Sequence, residues 1–404
     1  RFKKSCLRSI AYLCITLYNI NYSEFSEVGG EMKAVLFDVD GVFLSEERCF
    51  DVSALTVYEM LMSQHFLKLM PTVTFNSIND SEINLIRQVV FDQDNILNAM
   101  KSRGLNSNWD MLFIVLSIHL IDLLKTLSKE DREAFLTAHP FTDVTIQEVG
   151  DLVGRQQVDF MKPLHFIENA ESGKTKIYRD LRNYAAEQLD TNHTELFEIR
   201  SPLWEIAQEV FQEWYLGHRL YRKVEEKIPR SDFKTGYIYH EEELAEADQL
   251  KTLLSDLKAA GYTLAVATGR PRTETLVPFE DKGFLKYFDE SHIVSASEVL
   301  KAEEMFPELK PLGKPNPFCY VAAYNGNNEA DYQNYAEQQE QVFAGEEIYI
   351  VGDSLADLFS AQKTGATFIG TLTGLKGKKA KEELESYHAD YIVDNVLEIR
   401  SILL

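Results

Sequence analysis

The sequence predicts an α/β protein in which a parallel-sheet domain is interrupted by a large, all-helical domain. Residues 33–38 form a short apolar run that ends in polar residues and a glycine, which is typical of a strand buried on both faces. From about residue 53 to about residue 254, apolar residues recur at the three- and four-residue spacing of helices. Strand and helix patterns then alternate, which predicts parallel strands joined by right-handed crossovers.

The first predicted strand leads directly into Asp38-Val39-Asp40-Gly41. In open α/β sheets, ligands bind at the carboxyl ends of the strands. The two aspartates are therefore expected at the edge of the sheet where a functional site would lie.

The helical domain is predicted from amphipathic periodicity and from the scarcity of alternating β-branched runs. Its clearest helices are expected at 82–101, 108–127, 174–189 and 202–224. The segment 111–124 is the most apolar, but it is short for a membrane span and is interrupted by His119 and Asp122. It is therefore expected to be a buried core helix.

The α/β pattern after the helical domain supplies the rest of the predicted sheet. The predicted helices lie at 248–260, 272–282 and 355–363, with another opened by 314–317. The predicted strands lie at 263–267, 293–294, 347–351, 367–369 and 391–393. The acidic, Asn- and Gln-rich segment 325–347 is expected to be an irregular surface excursion.

Charge and cysteine usage limit the partners of the protein. The 404 residues carry a formal net charge of −23 at pH 7. Such a surface repels nucleic-acid phosphates and anionic membranes, so neither is an expected partner, whereas a small anion in a local positive pocket remains compatible. The 4 cysteines are far apart and form no CxxC pair, which predicts reduced thiols in a cytoplasmic protein.

Residues 1–31 are expected to be a translated leader or a poorly ordered tail that lies outside the natural folded protein. They contain a mildly apolar run at 9–20 behind basic residues, but no small-residue cleavage site follows it. The run is also too short to span a bilayer. Met32 stands directly before the first predicted strand, so the core domain is expected to begin there.

Four short motifs follow predicted strands or open predicted helices, and each carries groups that suit phosphate chemistry. They are Asp38-Val39-Asp40-Gly41-Val42, Thr268-Gly269-Arg270, Lys314-Pro315 and Gly352-Asp353-Ser354-Leu355-Ala356-Asp357. Each motif alone is a weak signal, because such short combinations are common by chance. Their order and their places at strand ends make the combination specific.

The residue types in these motifs match the needs of phosphoryl transfer: a nucleophile, a proton source for the leaving group and positive charge near the oxygens. Asp38 can attack phosphorus. Asp40 can protonate the leaving oxygen and later activate water. Carboxylates that meet a phosphate need a cation, and hard oxygen ligands favour Mg²⁺ over zinc.

With these four motifs in this order, the sequence resembles the phosphatase branch of the haloacid dehalogenase (HAD) superfamily. The resemblance covers residues 32–45 and about 250–400. It implies a Rossmann-like catalytic core at 32–45 and 248–404 and a helical cap domain at 46–247, inserted after the first motif. Asp40 favours phosphatases and phosphomutases, because HAD members that displace halide lack an acid at this place.

The resemblance also implies a set of metal ligands. Asp38 and Asp353 would bind Mg²⁺ through carboxylate oxygens, and Asp40 through its backbone carbonyl. Asp357 would either bind the ion itself or support the residues that bind it. The alternative interpretation of Asp357 is an ordinary ion pair with a surface cation.

Three groups would bind the phosphate on the same basis: the Thr268 hydroxyl, the Gly269 amide and the Lys314 ammonium, which would also neutralise the nucleophile. Other interpretations stay open. Thr268 could simply cap the following helix. Lys310 lies four residues before Lys314 and could be the relevant lysine, and Arg270 suits either a substrate contact or an ion pair.

The predicted function is that of a Mg²⁺-dependent phosphoric monoester hydrolase, which acts on a small phosphorylated metabolite through an aspartyl-phosphate. Two alternatives compete with it. A sugar phosphomutase would use the same intermediate but would yield an isomerised product. A catalytically silent binding or regulatory protein would use the cap domain as its working surface.

Overall fold

The computed structural model of the protein describes residues 33–70, 72–105 and 107–404. The predicted leader or tail, 1–31, lies outside these ranges. Within them, no helix combines the length and the apolar character needed to cross a membrane. Cys49 and Cys319 are buried free thiols.

A six-stranded parallel sheet forms the core, with the strand order β3-β2-β1-β4-β5-β6. Its strands are β1 (Lys33–Phe37), β2 (Tyr262–Ala267), β3 (Ile293–Val294), β4 (Glu347–Gly352), β5 (Thr367–Thr371) and β6 (Tyr391–Val393). The order is that of a Rossmann-like sheet and reverses direction between β1 and β4. The predicted fold class is confirmed.

Strand β1 occupies the centre of the sheet because both of its faces are apolar. Ala34 and Leu36 pack into the hydrophobic cluster on one face, and Val35 and Phe37 pack into the cluster on the other. All four side chains are fully buried. Helices on both faces of a parallel sheet require such a continuous apolar run.

Nine helices lie between β1 and the end of the helical domain in the described residues. They are α1 (Glu47–Met62), α2 (Asp80–Val90), α3 (Asn95–Ser102), α4 (Asn108–Leu124), α5 (Lys129–Leu136), α6 (Asp143–Val153), α7 (Lys162–Asn169), α8 (Lys174–Leu189) and α9 (Pro202–Val224). Helix α4 is buried along almost its whole length, as its apolar sequence predicts, and packs against α1 and α9.

Eight further helices accompany the remaining strands. They are α10 (Ala247–Ala259), α11 (Arg272–Asp281), α12 (Ala296–Met305), α13 (Phe318–Tyr324), α14 (Tyr332–Glu337), α15 (Leu355–Thr364), α16 (Ala380–Ser386) and α17 (Arg400–Leu403). The prediction of an irregular segment at 325–347 is wrong for α14. Tyr332 is buried there against Phe318, with 5.4 Å between the ring centroids, and this contact stabilises a short helix.

The predicted helix 202–224 exists as α9, but it bends sharply at Gly217, where φ is 75°. A Cβ atom on Gly217 would lie 2.5 Å from the backbone of Thr235. The returning chain is bound at this point, because the His218 amide donates to the Lys234 carbonyl at 2.8 Å. Close approach of two backbones therefore explains both the glycine and the bend.

The helical domain leaves and rejoins the core through two adjacent segments. The Ser45 amide donates to the Glu242 carbonyl at 2.9 Å, and the Leu244 amide donates to the Phe43 carbonyl at 3.0 Å. The departing segment, 43–45, lies just after Asp38 and Asp40 in the chain, and the returning segment is bonded to it. The helical domain, which we call the cap, is thus attached beside the carboxyl end of β1.

Candidate active site

The site residues lie where the central strands end. Asp38 follows β1, Thr268 follows β2 and Asp353 follows β4, and these three strands are neighbours in the sheet. Their carboxyl ends meet at one edge, at the point where the strand order reverses. This is the place where open α/β sheets bind ligands.

Asp38, Lys314 and Asp357 form a buried group at this edge. The Lys314 Nζ atom lies 3.1 Å from Asp38 Oδ1 and 2.8 Å from Asp357 Oδ1. Asp38 is only 8% exposed, and Asp357 is fully buried. Lys310 is exposed, so the geometry favours Lys314 as the lysine of the site.

Asp357 is fixed by its neighbours as well as by Lys314. The Tyr320 hydroxyl donates to its Oδ1 at 2.7 Å, and the Ser354 hydroxyl donates to its Oδ2 at 2.7 Å. Burial opposes ionisation, but Lys314 and these hydrogen bonds lower the pKa of Asp357 below its ordinary value. A charged Asp357 is thus well placed to hold the Lys314 ammonium against Asp38.

The ionised form of Asp38 is less favourable than that of Asp357. Burial raises its pKa to about 7, and the carboxylates of Asp357 and Asp40 add to the rise, although Lys314 opposes it. A cation beside Asp38 would favour the ionised form that a nucleophile needs.

Asp353 lies between two glycine backbones. A Cβ atom on Gly41, whose φ is +70°, would lie 2.4 Å from Asp353 Cγ, and one on Gly374 would lie 1.8 Å from Asp353 Oδ2. The Gly41 carbonyl is itself fixed, because the Thr371 and Thr373 hydroxyls donate to it at 2.9 and 2.6 Å. Only glycines therefore leave room for this carboxylate.

The electrostatic surroundings of Asp353 are unfavourable for a charge. Burial raises its pKa well above the ordinary value, and Asp357, Asp38, Glu46 and Asp40 raise it further. Among the described residues, no side chain donates a hydrogen bond to it or forms an ion pair with it. A cation would stabilise such an unpaired, half-buried carboxylate.

The donor set suits a hard divalent cation. Oxygen atoms of Asp38, Asp353 and Asp357 all lie within 4.8 Å of one another. In the described part of the chain, Lys314 is the cation in contact with this group, so three carboxylates face one ammonium. Carboxylate oxygens with a deficit of positive charge fit Mg²⁺.

Asp40 lies apart from this group. Its Oδ1 accepts hydrogen bonds from Arg270 Nε at 2.8 Å and from Arg270 Nη2 at 2.5 Å. Of the two interpretations of Arg270, the structure therefore shows the ion pair. The role of Asp40 as an acid stays a prediction.

Thr268 and Gly269 lie beside Asp38 through the pairing of β1 with β2. The Thr268 hydroxyl oxygen accepts a hydrogen bond from the Arg270 amide at 3.2 Å, which leaves its proton free to donate. A Cβ atom on Gly269 would have no atom within 4 Å, so its backbone borders open space. Their phosphate-binding roles stay predictions.

Sequence reasoning missed several residues that shape the site: Tyr320, Ser354, Thr371, Thr373 and Gly374. Ser354 had a local signal, since a Ser followed three residues later by an acid marks a capping box, which the structure contains. The stretch 371–374 directly follows the predicted strand 367–369, so its position at the same sheet edge was a usable signal. Tyr320 had none.

Comparisons with known proteins identify several proteins to which this chain is similar. A family model described as HAD-hydrolase-like matches residues 311–399. An X-ray structure of a Northeast Structural Genomics Consortium target is 53% identical, with a TM-score of 0.85, over 92% of this chain and 98% of that chain. A crystal structure of a HAD phosphatase from Thermococcus onnurineus is 17% identical, with a TM-score of 0.38, over 92% of this chain and 98% of that chain.

Among curated proteins, a phosphoglycolate phosphatase of Vibrio parahaemolyticus is 27% identical over 154 residues. The match covers 38% of this chain and 54% of that protein. The chain thus spans about half the length of this curated relative.

Proposed function

The chain belongs to the haloacid dehalogenase (HAD) superfamily, and on this premise we propose that it is a Mg²⁺-dependent phosphohydrolase that acts through an aspartyl-phosphate. One observation carries the proposal. Asp38 lies at the carboxyl end of β1, between the Lys314 ammonium and the unpaired Asp353 carboxylate. A nucleophile, a fixed cation and a place for a second cation thus occupy one buried edge.

In the first step, an Asp38 oxygen attacks phosphorus while the bond from phosphorus to the leaving oxygen breaks. Asp40 gives its proton to the leaving oxygen. Lys314 lies within ion-pair distance of the attacking carboxylate and neutralises part of the charge that gathers there. The Thr268 hydroxyl, with its free proton, donates to a phosphoryl oxygen.

The carboxylates of Asp38 and Asp353 would hold Mg²⁺. When bound, the ion supplies positive charge that offsets the repulsion between the nucleophile and the phosphate. Asp357 keeps Lys314 in place and, through its hydrogen bonds with Tyr320 and Ser354, stays in one orientation.

In the second step, water attacks the phosphorus of the aspartyl-phosphate and Asp40 accepts a proton from it. The bond between phosphorus and the Asp38 oxygen breaks. Inorganic phosphate leaves, and both aspartates return to their starting states.

The substrate in this proposal is a small phosphorylated metabolite. The cap is attached beside the site and would exclude water and select the substrate. Phosphoglycolate is a first candidate, because a curated relative is named for it.

The test is a panel of phosphorylated metabolites, phosphoglycolate and p-nitrophenyl phosphate among them, assayed for phosphate release with and without Mg²⁺. We expect Mg²⁺-dependent release by the wild type and its loss in Asp38→Asn. Asp248→Asn, at an exposed position of the core, is the matched control. An isomerised product without phosphate release would indicate a mutase, and no turnover of any compound would indicate a silent protein.

A further inference from the structure

Arg270 is a buried cation that phosphoryl transfer, as described above, does not use. It lies in the loop after β2, directly after Gly269, and is 5% exposed. Its guanidinium contacts Asp40 of the core on one side. On the other side it contacts Glu241 and Tyr215, which belong to the cap and to its returning segment.

The contact with Asp40 is asymmetric. Arg270 Nε and Nη2 both donate to Oδ1, at 2.8 and 2.5 Å. Among the described residues, no hydrogen bond reaches Oδ2. A carboxyl group held by one oxygen presents the other in a defined direction.

The contacts with the cap restrain the guanidinium itself. Arg270 Nη1 lies 3.2 Å from Glu241 Oε1 and 3.3 Å from the Tyr215 hydroxyl, and Nη2 lies 3.3 Å from Glu241 Oε2. The Tyr215 hydroxyl also donates to Glu241. All three side chains are buried.

A second hydrogen bond joins the cap to the core. Gln212 lies three residues before Tyr215 on α9, and its Nε2 donates to Glu274 Oε1 of α11 at 3.0 Å. Residues three apart share one face of a helix. Helix α9 therefore meets the core through two buried polar contacts, and one of them leads through Arg270 to Asp40.

We propose that Arg270 is a positioning residue for proton transfer: it fixes Oδ1 of Asp40 so that Oδ2 delivers the proton to the leaving oxygen. Tyr215 and Glu241 hold Arg270 in turn, so the position of the cap sets the geometry of proton donation. The guanidinium also stabilises the carboxylate that Asp40 becomes when it has given up its proton. The inference rests on the proposed phosphohydrolase function.

Two substrates of nearly equal shape separate this role from a structural one. The p-nitrophenolate group leaves without a proton, whereas phenolate leaves poorly unless an acid helps it. We therefore compare phosphate release from phenyl phosphate and from p-nitrophenyl phosphate, with Mg²⁺, in the wild type, Arg270→Lys and Tyr215→Phe.

The comparison uses kcat/KM, because this constant reports the reaction only up to the departure of the leaving group and not the second step, in which Asp40 acts as a base. The expected losses of kcat/KM with phenyl phosphate are about tenfold or more in Arg270→Lys and about threefold in Tyr215→Phe, since an acid contributes on the order of 10² or more to such a reaction. With p-nitrophenyl phosphate, the loss is expected to stay below about twofold in both variants. Tyr178→Phe is the matched control. It also removes a buried tyrosine hydroxyl that donates to a carboxylate, Asp110, at 2.8 Å, but this bond lies inside the cap. In Tyr178→Phe, the ratio of the kcat/KM values for the two substrates should not change.

Equal losses with both substrates, or an unchanged ratio in both variants, would overturn the positioning role of Arg270. A ratio that changes in Arg270→Lys but not in Tyr215→Phe would overturn the part assigned to the cap. If Arg270→Lys fails to fold, the ratio measured in the milder variant Tyr215→Phe tests the proposal. A wild type without phosphatase activity, or an Asp38→Asn variant that retains it, would instead refute the underlying function.

Discussion

Two regions of the molecule each hold several buried or half-buried charged side chains, and the pairing of these charges differs. In the cap, Lys234 Nζ lies 2.8 Å from Glu59 and 3.2 Å from Glu213, and Arg230 lies 2.8 Å from Glu213. Arg230 also contacts Asp143 at 2.6 Å and Glu209 at 2.8 Å, so two cations face four carboxylates, and every carboxylate contacts a cation. At the sheet edge, three carboxylates, those of Asp38, Asp353 and Asp357, face Lys314.

The difference separates a structural cluster from a functional one. In the cap, the Trp214 Nε1 atom also donates to Glu59 at 2.7 Å, so the charges are paired and hydrogen-bonded as buried charges must be. At the sheet edge, Asp353 lacks such partners among the described residues. A site that is short of positive charge is stable only with a cation or with protons, and either one makes it responsive to its surroundings.

Removal of a carboxylate should have opposite consequences in the two regions, and the largest effect is expected at Asp353. Asp353→Asn should lower Mg²⁺-dependent kcat/KM about a thousandfold, because a metal ligand is lost. Without Mg²⁺, the variant should unfold at a higher temperature than the wild type, because a half-buried, unpaired carboxylate has been removed. Steady-state kinetics and thermal unfolding measure the two effects.

The matched substitution in the cap is Glu59→Gln, which should lower the unfolding temperature because it leaves Lys234 with one partner fewer. If Asp353→Asn destabilised the metal-free protein as Glu59→Gln does, the two clusters would not differ in the pairing of their charges. Saturating Mg²⁺ should stabilise the wild type, by about 3 kcal/mol at 100 times its Kd, but not Asp353→Asn.

The cap cluster should depend on its central cation. Lys234→Met keeps the side-chain volume but leaves Glu59 and Glu213 without their ammonium. Loss of one partner of a buried ion pair typically costs about 4 kcal/mol, so the free energy of unfolding in urea should fall by about that amount. Lys129→Met, on the exposed surface of α5, should change it by less than about 0.5 kcal/mol. A Lys234→Met variant as stable as the wild type would show that the cluster does not need its central cation.

The sequence was sufficient to predict the parts of this comparison that depend on local patterns. Helix α8 was predicted with its observed ends, and each strand lies within about two residues of its predicted bounds, since buried strands and amphipathic helices repeat at fixed periods. Asp38, Asp353, Lys314 and Asp357 were found because they follow strands or open helices, where the chain geometry alone brings them to one edge.

Where tertiary contacts determine the local structure, the sequence pattern alone predicts it wrongly. The predicted helix 82–101 is wrong, because it is two helices, α2 and α3, separated at residues with positive φ such as Asp94, at 66°. Arg87 fixes that break by binding both oxygens of Asp94, at 2.9 and 2.8 Å, while it contacts Asp51 of α1 at 3.2 Å. No glycine or proline marks the break, so only a distant partner explains it.

The same limit applies to the site and to the joint with the cap. Tyr320 reaches Asp357 from α13, and Tyr215 reaches Arg270 from a domain inserted between the first two strands. Nothing in the local sequence around these tyrosines specifies their partners. The distance in sequence, 55 residues from Tyr215 to Arg270, exceeds the range of any periodic pattern.

A smaller effect on stability is expected from His119, a single buried base in the cap. Burial lowers the pKa of His119 to about 4, and its Nε2 has no hydrogen-bond partner in the described ranges. The unfolded state takes up the proton near pH 6.5 and the folded state only near pH 4, so stability is complete above pH 6.5 and is lost as the pH falls. The loss should reach about 3 kcal/mol at pH 4.

Urea unfolding of wild type and His119→Phe between pH 7 and pH 4 measures this loss. The phenyl ring should pack against Phe160, whose ring centroid lies 5.1 Å from that of the imidazole. The same substitution at the exposed His165 is the control. A wild type and a His119→Phe variant with parallel pH profiles would show that His119 does not contribute to the acid sensitivity of the cap.

The smallest effect, at the sheet edge, tests whether the space around Asp353 matters as well as its charge. Gly374→Ala would place a Cβ atom 1.8 Å from Asp353 Oδ2, so the carboxylate must move. Changes to groups that orient a metal ligand typically cost about 10- to 100-fold in metal affinity or activity. We therefore expect a rise of about tenfold in the Mg²⁺ concentration for half-maximal rate. Gly313→Ala, where a Cβ atom meets nothing within 4 Å, is the matched control. Should Gly374→Ala respond to Mg²⁺ as the wild type does, Asp353 would not bind the ion from the position that Gly41 and Gly374 define, and the deficit of positive charge would have to be met in another way.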